Sequence, residues 1–114
     1  MNLEGLALAK ECRKFALDKK AVDPVILDLS ELNGPSEWFL IVSGESDPQL
    51  KAIAGAINEG MKTEHGLPPV KNDGNPASQW IVLDYGSVLV HVMHASKRAY
   101  YQLEKLWNDA PRVK

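Results

Sequence analysis

The chain has 114 residues, 45% apolar and 25% charged, which is enough for one compact core and too apolar for a disordered chain. A formal net charge of -2 announces no phosphate-binding surface, and the lone cysteine, Cys12, excludes an internal disulfide and a thiolate zinc cluster within one chain. No run approaches the roughly 18 apolar residues of a membrane span, and Met1-Asn2-Leu3-Glu4 lacks the basic start of a secretory signal, so the cytoplasm is the expected compartment.

The spacing of Leu8, Cys12, Phe15 and Ala16 predicts a helix from about Asn2 to Lys19. Pro24 closes it off, and Val25-Ile26-Leu27-Asp28-Leu29 reads as a short buried strand. A turn at Asn33-Gly34-Pro35-Ser36 leads into Trp38-Phe39-Leu40-Ile41-Val42, apolar on both faces as a central strand would be. Ser46 with Gln49 is a capping-box pattern, and Pro48 sits in the first turn of the helix it opens. Leu50, Ile53, Ala54, Ile57 and Met61 form its apolar stripe, and Gly66 is its expected stop.

Lys71-Asn72-Asp73-Gly74-Asn75-Pro76 reads as a polar loop, with a short strand near Val70 as an option. Two β runs, Gln79–Asp84 and Ser87–Met93, flank Tyr85-Gly86, the strongest hairpin signal in the chain. Ser96 is placed to cap a last helix carrying Tyr100, Leu103 and Trp107 at helical spacing, and the tail 111–114 is expected to be loose. Residues 1–110 then form one domain of α/β class, or α+β by a stricter label: a single mixed sheet with helices packed on it.

A two-residue loop at Tyr85-Gly86 pairs Trp80 with His91 and Val82 with Leu89. Alternation puts Ile81, Leu83, Val88, Val90 and Val92 on one aliphatic face, suited to packing under helices. Trp80, Val82, Asp84, Leu89, His91 and Met93 share the other face. That mixture suits the centre of a recognition patch, where aromatic and Met side chains are enriched. It suits equally a Trp–His pair packed under a loop with its ring nitrogens satisfied.

Signals for catalysis are incomplete. His91 and His94 fall on opposite faces of a strand, and His65 reads as a solvated residue at a helix end. Cys12 is on a core stripe, while Lys19-Lys20 and Lys97-Arg98 read as solvated pairs. Ser43-Gly44-Glu45-Ser46 before a helix offers backbone N–H groups to a phosphate, but it lacks the P-loop pattern. It is similar to the Gly-Ser turn of nucleotidyltransferases, without the paired carboxylates that hold their metals. A nucleotidyltransferase-like enzyme or nucleotide-binding protein, engaging Asp47 or Asp84, is therefore the alternative to a non-enzymatic role.

Three segments carry a resemblance to a known family. Trp80-Ile81-Val82-Leu83-Asp84-Tyr85-Gly86-Ser87-Val88-Leu89-Val90-His91-Val92-Met93 resembles the signature of the ribosomal silencing factors, also called RsfS or Iojap. Trp38–Ser46 and Arg98–Trp107 resemble the family's central strand with its small-residue turn and its C-terminal helix. Ser87 stands where an acidic residue is common, and Met93 where an aromatic often stands. The resemblance implies a nucleotidyltransferase-like fold without that activity and without a cofactor. It also implies binding to the large ribosomal subunit through ribosomal protein L-fourteen, which blocks small-subunit joining and represses translation. Trp80, Ile81, Val82, Asp84, Tyr85 and His91 are the positions it places at that contact, although alternation turns Ile81 away. Homodimers occur in the family; direct contact with RNA is left open.

Overall fold

The computed structural model describes residues 4–32, 36–107 and 109–113, with the side chains of Asn75, Pro76 and Leu106 left aside. The turn expected at Asn33-Gly34-Pro35 lies outside the described residues. Helix α1 (Gly5–Asp18) leads into β1 (Val22–Asp28) and β2 (Trp38–Gly44), then α2 (Asp47–His65). Strands β3 (Lys71–Asn75), β4 (Trp80–Asp84) and β5 (Val88–His94) follow, then α3 (Ala95–Tyr101), the single turn α4 (Leu103–Leu106) and β6 (Arg112–Val113). The six strands form one mixed sheet in the order β3-β4-β5-β2-β1-β6. Only β2 and β5 run parallel; the other pairs are antiparallel. This is the α+β arrangement that the strand–helix–strand crossover beside a hairpin demands.

Helix α2 forms as its sequence prescribes. The Ser46 hydroxyl accepts from the Gln49 N–H, Pro48 occupies the first turn, and Gly66 ends the helix at φ +64°. Gln49 does not complete the capping box on Ser46: its Oε1 accepts from the Glu45 N–H instead. Leu50, Ile53, Ile57 and Met61 are buried, and with Leu8, Cys12 and Phe15 of α1 they cover one face of the sheet. Gly60 lets the two helices approach, since a Cβ there would lie 2.6 Å from the Phe15 ring.

Strand β2 alternates between two cores, as its doubly apolar sequence requires. Leu40 and Val42 face α1 and α2, while Phe39 and Ile41 join Leu27, Leu29 and Met93 on the opposite face. Leu103 and Trp107 from the C-terminal segment pack over this second cluster.

Four expectations are corrected. Strand β1 begins before Pro24, at Val22: the register against β2 shifts between Val22 and Val25, Asp23 takes φ +48°, and a proline without an N–H is accommodated there. The polar loop at Lys71–Asn75 is an edge strand paired with β4, and residues 71–74 are all exposed, which leaves no alternation to read. The last helix breaks at Gln102, φ +50°, which leaves Tyr100 at 79% exposure while Leu103 and Trp107 turn inward. The tail expected to be loose from Pro111 adds β6 to the edge of β1, and the Pro111 carbonyl accepts from the Asp28 N–H.

Candidate functional site

The hairpin turn lies one residue later than its Tyr85-Gly86 signal suggests. Tyr85 N–H donates to the Val88 carbonyl at 2.9 Å, so Gly86-Ser87 are the central residues. Gly86 at φ +85° supplies the left-handed first position that a Gly-X turn of this type needs. The Asp84 carboxylate accepts from the Gly86 N–H at 2.8 Å and braces the turn. Consequently Trp80 faces Met93, Val82 faces His91 and Asp84 faces Leu89. Moving the register by two residues preserves which side chains share a face.

Trp80, Val82, Asp84 and His91 are thus brought to one face. Ile81 and Tyr85 are buried on the other, in the core beneath α1 and α2. The Tyr85 hydroxyl has no hydrogen-bond partner there, and burial pushes its phenol up from the ordinary value. Trp80, Val82 and Asp84 are half-buried, whereas His91 is 6% exposed.

His91 forms the floor of this patch. Its ring meets the edge of Phe39 at 4.6 Å between centroids, and Phe39 in turn meets Trp107 at 6.1 Å. The Trp80 Nε1–H donates to His91 Nδ1 at 3.1 Å. An accepting Nδ1 leaves the neutral ring's proton on Nε2, which is buried without a partner. Burial lowers the imidazole from 6.5 to about 4, so the ring stays neutral under Trp80.

The Tyr101 ring lies 5.0 Å from that of Trp80, and Tyr100 stands edge-on to Tyr101 at 5.1 Å. The sequence reading missed this extension because it placed Tyr100 on a core stripe. Two adjacent tyrosines on one helix are about 100° apart and cannot both face a narrow core stripe, and that was the available signal.

Elsewhere several polar side chains are engaged with one another. Ser43 is buried and its Oγ accepts from Arg98 Nη1 at 2.9 Å. Arg98, expected to be solvated, is 9% exposed, and its Nε–H donates to Glu104 Oε1 at 2.7 Å. Asp47 accepts from the Gln79 side-chain amide at 3.3 Å. His65, read as solvated, bonds Glu11 across the α1–α2 interface at 2.7 Å, and this bond holds the Glu11 carboxyl below its ordinary value. Glu64 completes a trio with them, but the Lys14 ammonium lies 3.5 Å from Glu11 and 3.8 Å from Glu64 and supplies the cation. Burial pushes the Cys12 thiol up to about 12, which makes it core filler. Among the described residues, no helix is long and apolar enough to cross a membrane.

Comparison with known proteins agrees with the hairpin's signature. The family model described as "Ribosomal silencing factor during starvation", RsfS, matches residues 3–114. The ribosomal silencing factor RsfS of Bacillus subtilis is 43% identical over 94 residues, which cover 82% of this chain and 79% of that protein. A crystal structure of a Chromobacterium violaceum protein superposes with a TM-score of 0.85 at 31% identity, covering 95% of this chain and 88% of that one. One from Bacillus halodurans superposes with a TM-score of 0.81 at 34% identity, covering 96% and 99%. On the match over nearly its whole length, the chain belongs to the RsfS family of ribosomal silencing factors.

Proposed function

We propose that this chain represses translation by docking on ribosomal protein L-fourteen of the large subunit, where its bulk excludes the small subunit. Family membership supports a ribosome-associated repressor role. The observation that carries the finer reading is the half-exposed Trp80, held on a buried His91 and flanked by Val82, Asp84 and Tyr101. A rigid aromatic anchor beside a carboxylate suits a basic protein surface, and such anchors take a disproportionate share of binding energy. His91 acts from beneath by fixing the indole; Ile81 and Tyr85 act by supporting the turn from the core.

Steric exclusion needs placement and affinity and no bond-making. A standard interface covers about 800 Å² per partner, roughly an eighth of the 6395 Å² surface of this chain. The test is sedimentation of purified ribosomal subunits with and without the protein. Co-migration with large subunits and fewer joined ribosomes is expected. Binding without an effect on joining would discard the steric mechanism, and absence of binding would discard the ribosomal partner.

A further inference from the structure

Away from the Trp80 face, a cavity of about 640 Å³ lies between the ends of β2 and β5, the start of β1 and the break between α3 and α4. It is lined by three cations, Arg98, Lys105 and Arg112, and two carboxylates, Asp23 and Glu104. The repressor reading leaves this cavity unused.

Its construction points to an oxyanion. Arg98 is buried, and a well-packed apolar residue would serve stability as well or better than a buried ion pair. Its Nε and Nη1 are held by Glu104, by Ser43 and, at 3.4 Å, by the Val22 carbonyl. The guanidinium is therefore fixed in place at the cavity wall. The Glu104 carboxylate sits between this guanidinium and Arg112, whose Nη2 is 4.0 Å away. An anionic group is thus already held where two arginines converge.

Of the four non-glycine residues with positive φ among the described residues, Asp23 (+48°) and Gln102 (+50°) line the cavity, while Lys20 and Gln79 do not. Left-handed strain at residues other than glycine persists where surroundings over-determine it, and it clusters at ligand sites. The break at Gln102 also makes the charge arrangement: on a continuous helix, residues six apart such as Arg98 and Glu104 would not share a face.

We propose that this cavity binds a small organic phosphate monoester. The phosphate would lie against Arg98, Lys105 and Arg112, whose charge exceeds that of the lining carboxylates by one. Val22, Ala95 and Ala99 form a small-residue wall suited to a flat ring. Asp47 and Asp84, the carboxylates of the nucleotidyltransferase alternative, are not among the residues that line the cavity.

Calorimetric titration of the full chain with AMP and GMP, with amide NMR to locate the contact, tests this. Saturable binding with shifts at Val22, Ser43, Ala95 and Ala99 is expected, at least about tenfold tighter than adenosine alone. Lys105→Ala and Arg112→Ala, both at exposed positions, should each weaken it about tenfold. Ala99→Phe, also at an exposed position, should fill the cavity and abolish binding with the fold intact by NMR. Four results would overturn the proposal: no saturable binding at millimolar nucleotide, binding unaffected by Ala99→Phe, inorganic phosphate binding as tightly as the monoesters, or short single-stranded RNA binding more tightly than either.

Discussion

Replacing Trp80 by Phe separates the structural role of this residue from its proposed docking role. Phenylalanine keeps a ring beside Tyr101 but removes the Nε1–H that donates to His91 Nδ1. His91 Nε2 already lacks a partner, so both ring nitrogens of a buried imidazole would then be unbonded. Leaving one buried acceptor unsatisfied costs about 1–3 kcal/mol, and the smaller ring forfeits a further fraction of a kcal/mol of half-buried apolar area. Urea denaturation should show a loss of about 2 kcal/mol at unchanged m-value, equivalent to a Tm lower by roughly 8 °C. In a His91→Phe background the same change should cost little, because the bond it removes is already gone. Equal stability of Trp80→Phe and the parent would refute the bond's contribution. Docking is read separately, by sedimentation with large subunits where all variants are folded. Trp80→Ala should lose about 2 kcal/mol of binding, roughly thirtyfold in Kd. Unchanged binding by folded Trp80→Ala would make Trp80 a structural residue and remove the patch from the docking surface.

Acid should destabilise the protein through His91 before its carboxylates titrate. The folded ring titrates at about 4 rather than 6.5, so the unfolded chain binds the extra proton between these values. The resulting stability is fully present above pH 6.5 and lost as pH falls towards 4, by roughly 3 kcal/mol; denaturation midpoints in His91→Phe should show a flatter slope over that window. Gly74→Ala should release β3 from β4, since the new Cβ would meet the Trp80 carbonyl at 2.1 Å and φ is +77°; amide exchange along the β3–β4 pairing should rise, with about 1–3 kcal/mol lost globally. Ser87→Ala should fray the start of α1 by about 1 kcal/mol, because Ser87 Oγ accepts from the Gly5 N–H at 2.9 Å where Glu4 supplies no side-chain cap; Ser87→Asp should restore first-turn amide protection.

The Ser87 hydroxyl, on the hairpin turn, accepts from the Gly5 N–H and so ties the turn to the start of α1. The residues of the candidate surface were legible in part. Alternation correctly grouped Trp80, Val82, Asp84 and His91 and sent Ile81 to the other face, because side-chain direction in a strand is a local property. Which of them reaches solvent was not legible. His91 is covered because Phe39 and the C-terminal segment pack over that face.

Helix α2 with its serine cap and glycine stop, the doubly buried central strand and the two faces of the hairpin could all be read from the residues alone. Each of these is written in spacings of a few residues, where propensity and burial act together. Three other features depend on partners distant in the chain. Lys71–Asn75 is a strand because β4 supplies its hydrogen bonds, while its residues 71–74 are all exposed and leave no pattern. Arg98 is buried because Ser43, 55 residues away, and Glu104, beyond a helix break, together satisfy it. Arg112–Val113 is ordered because β1 offers an open edge. In all three the partner that fixes the conformation lies outside the local window, and its free energy outweighs what the segment's own residues prefer.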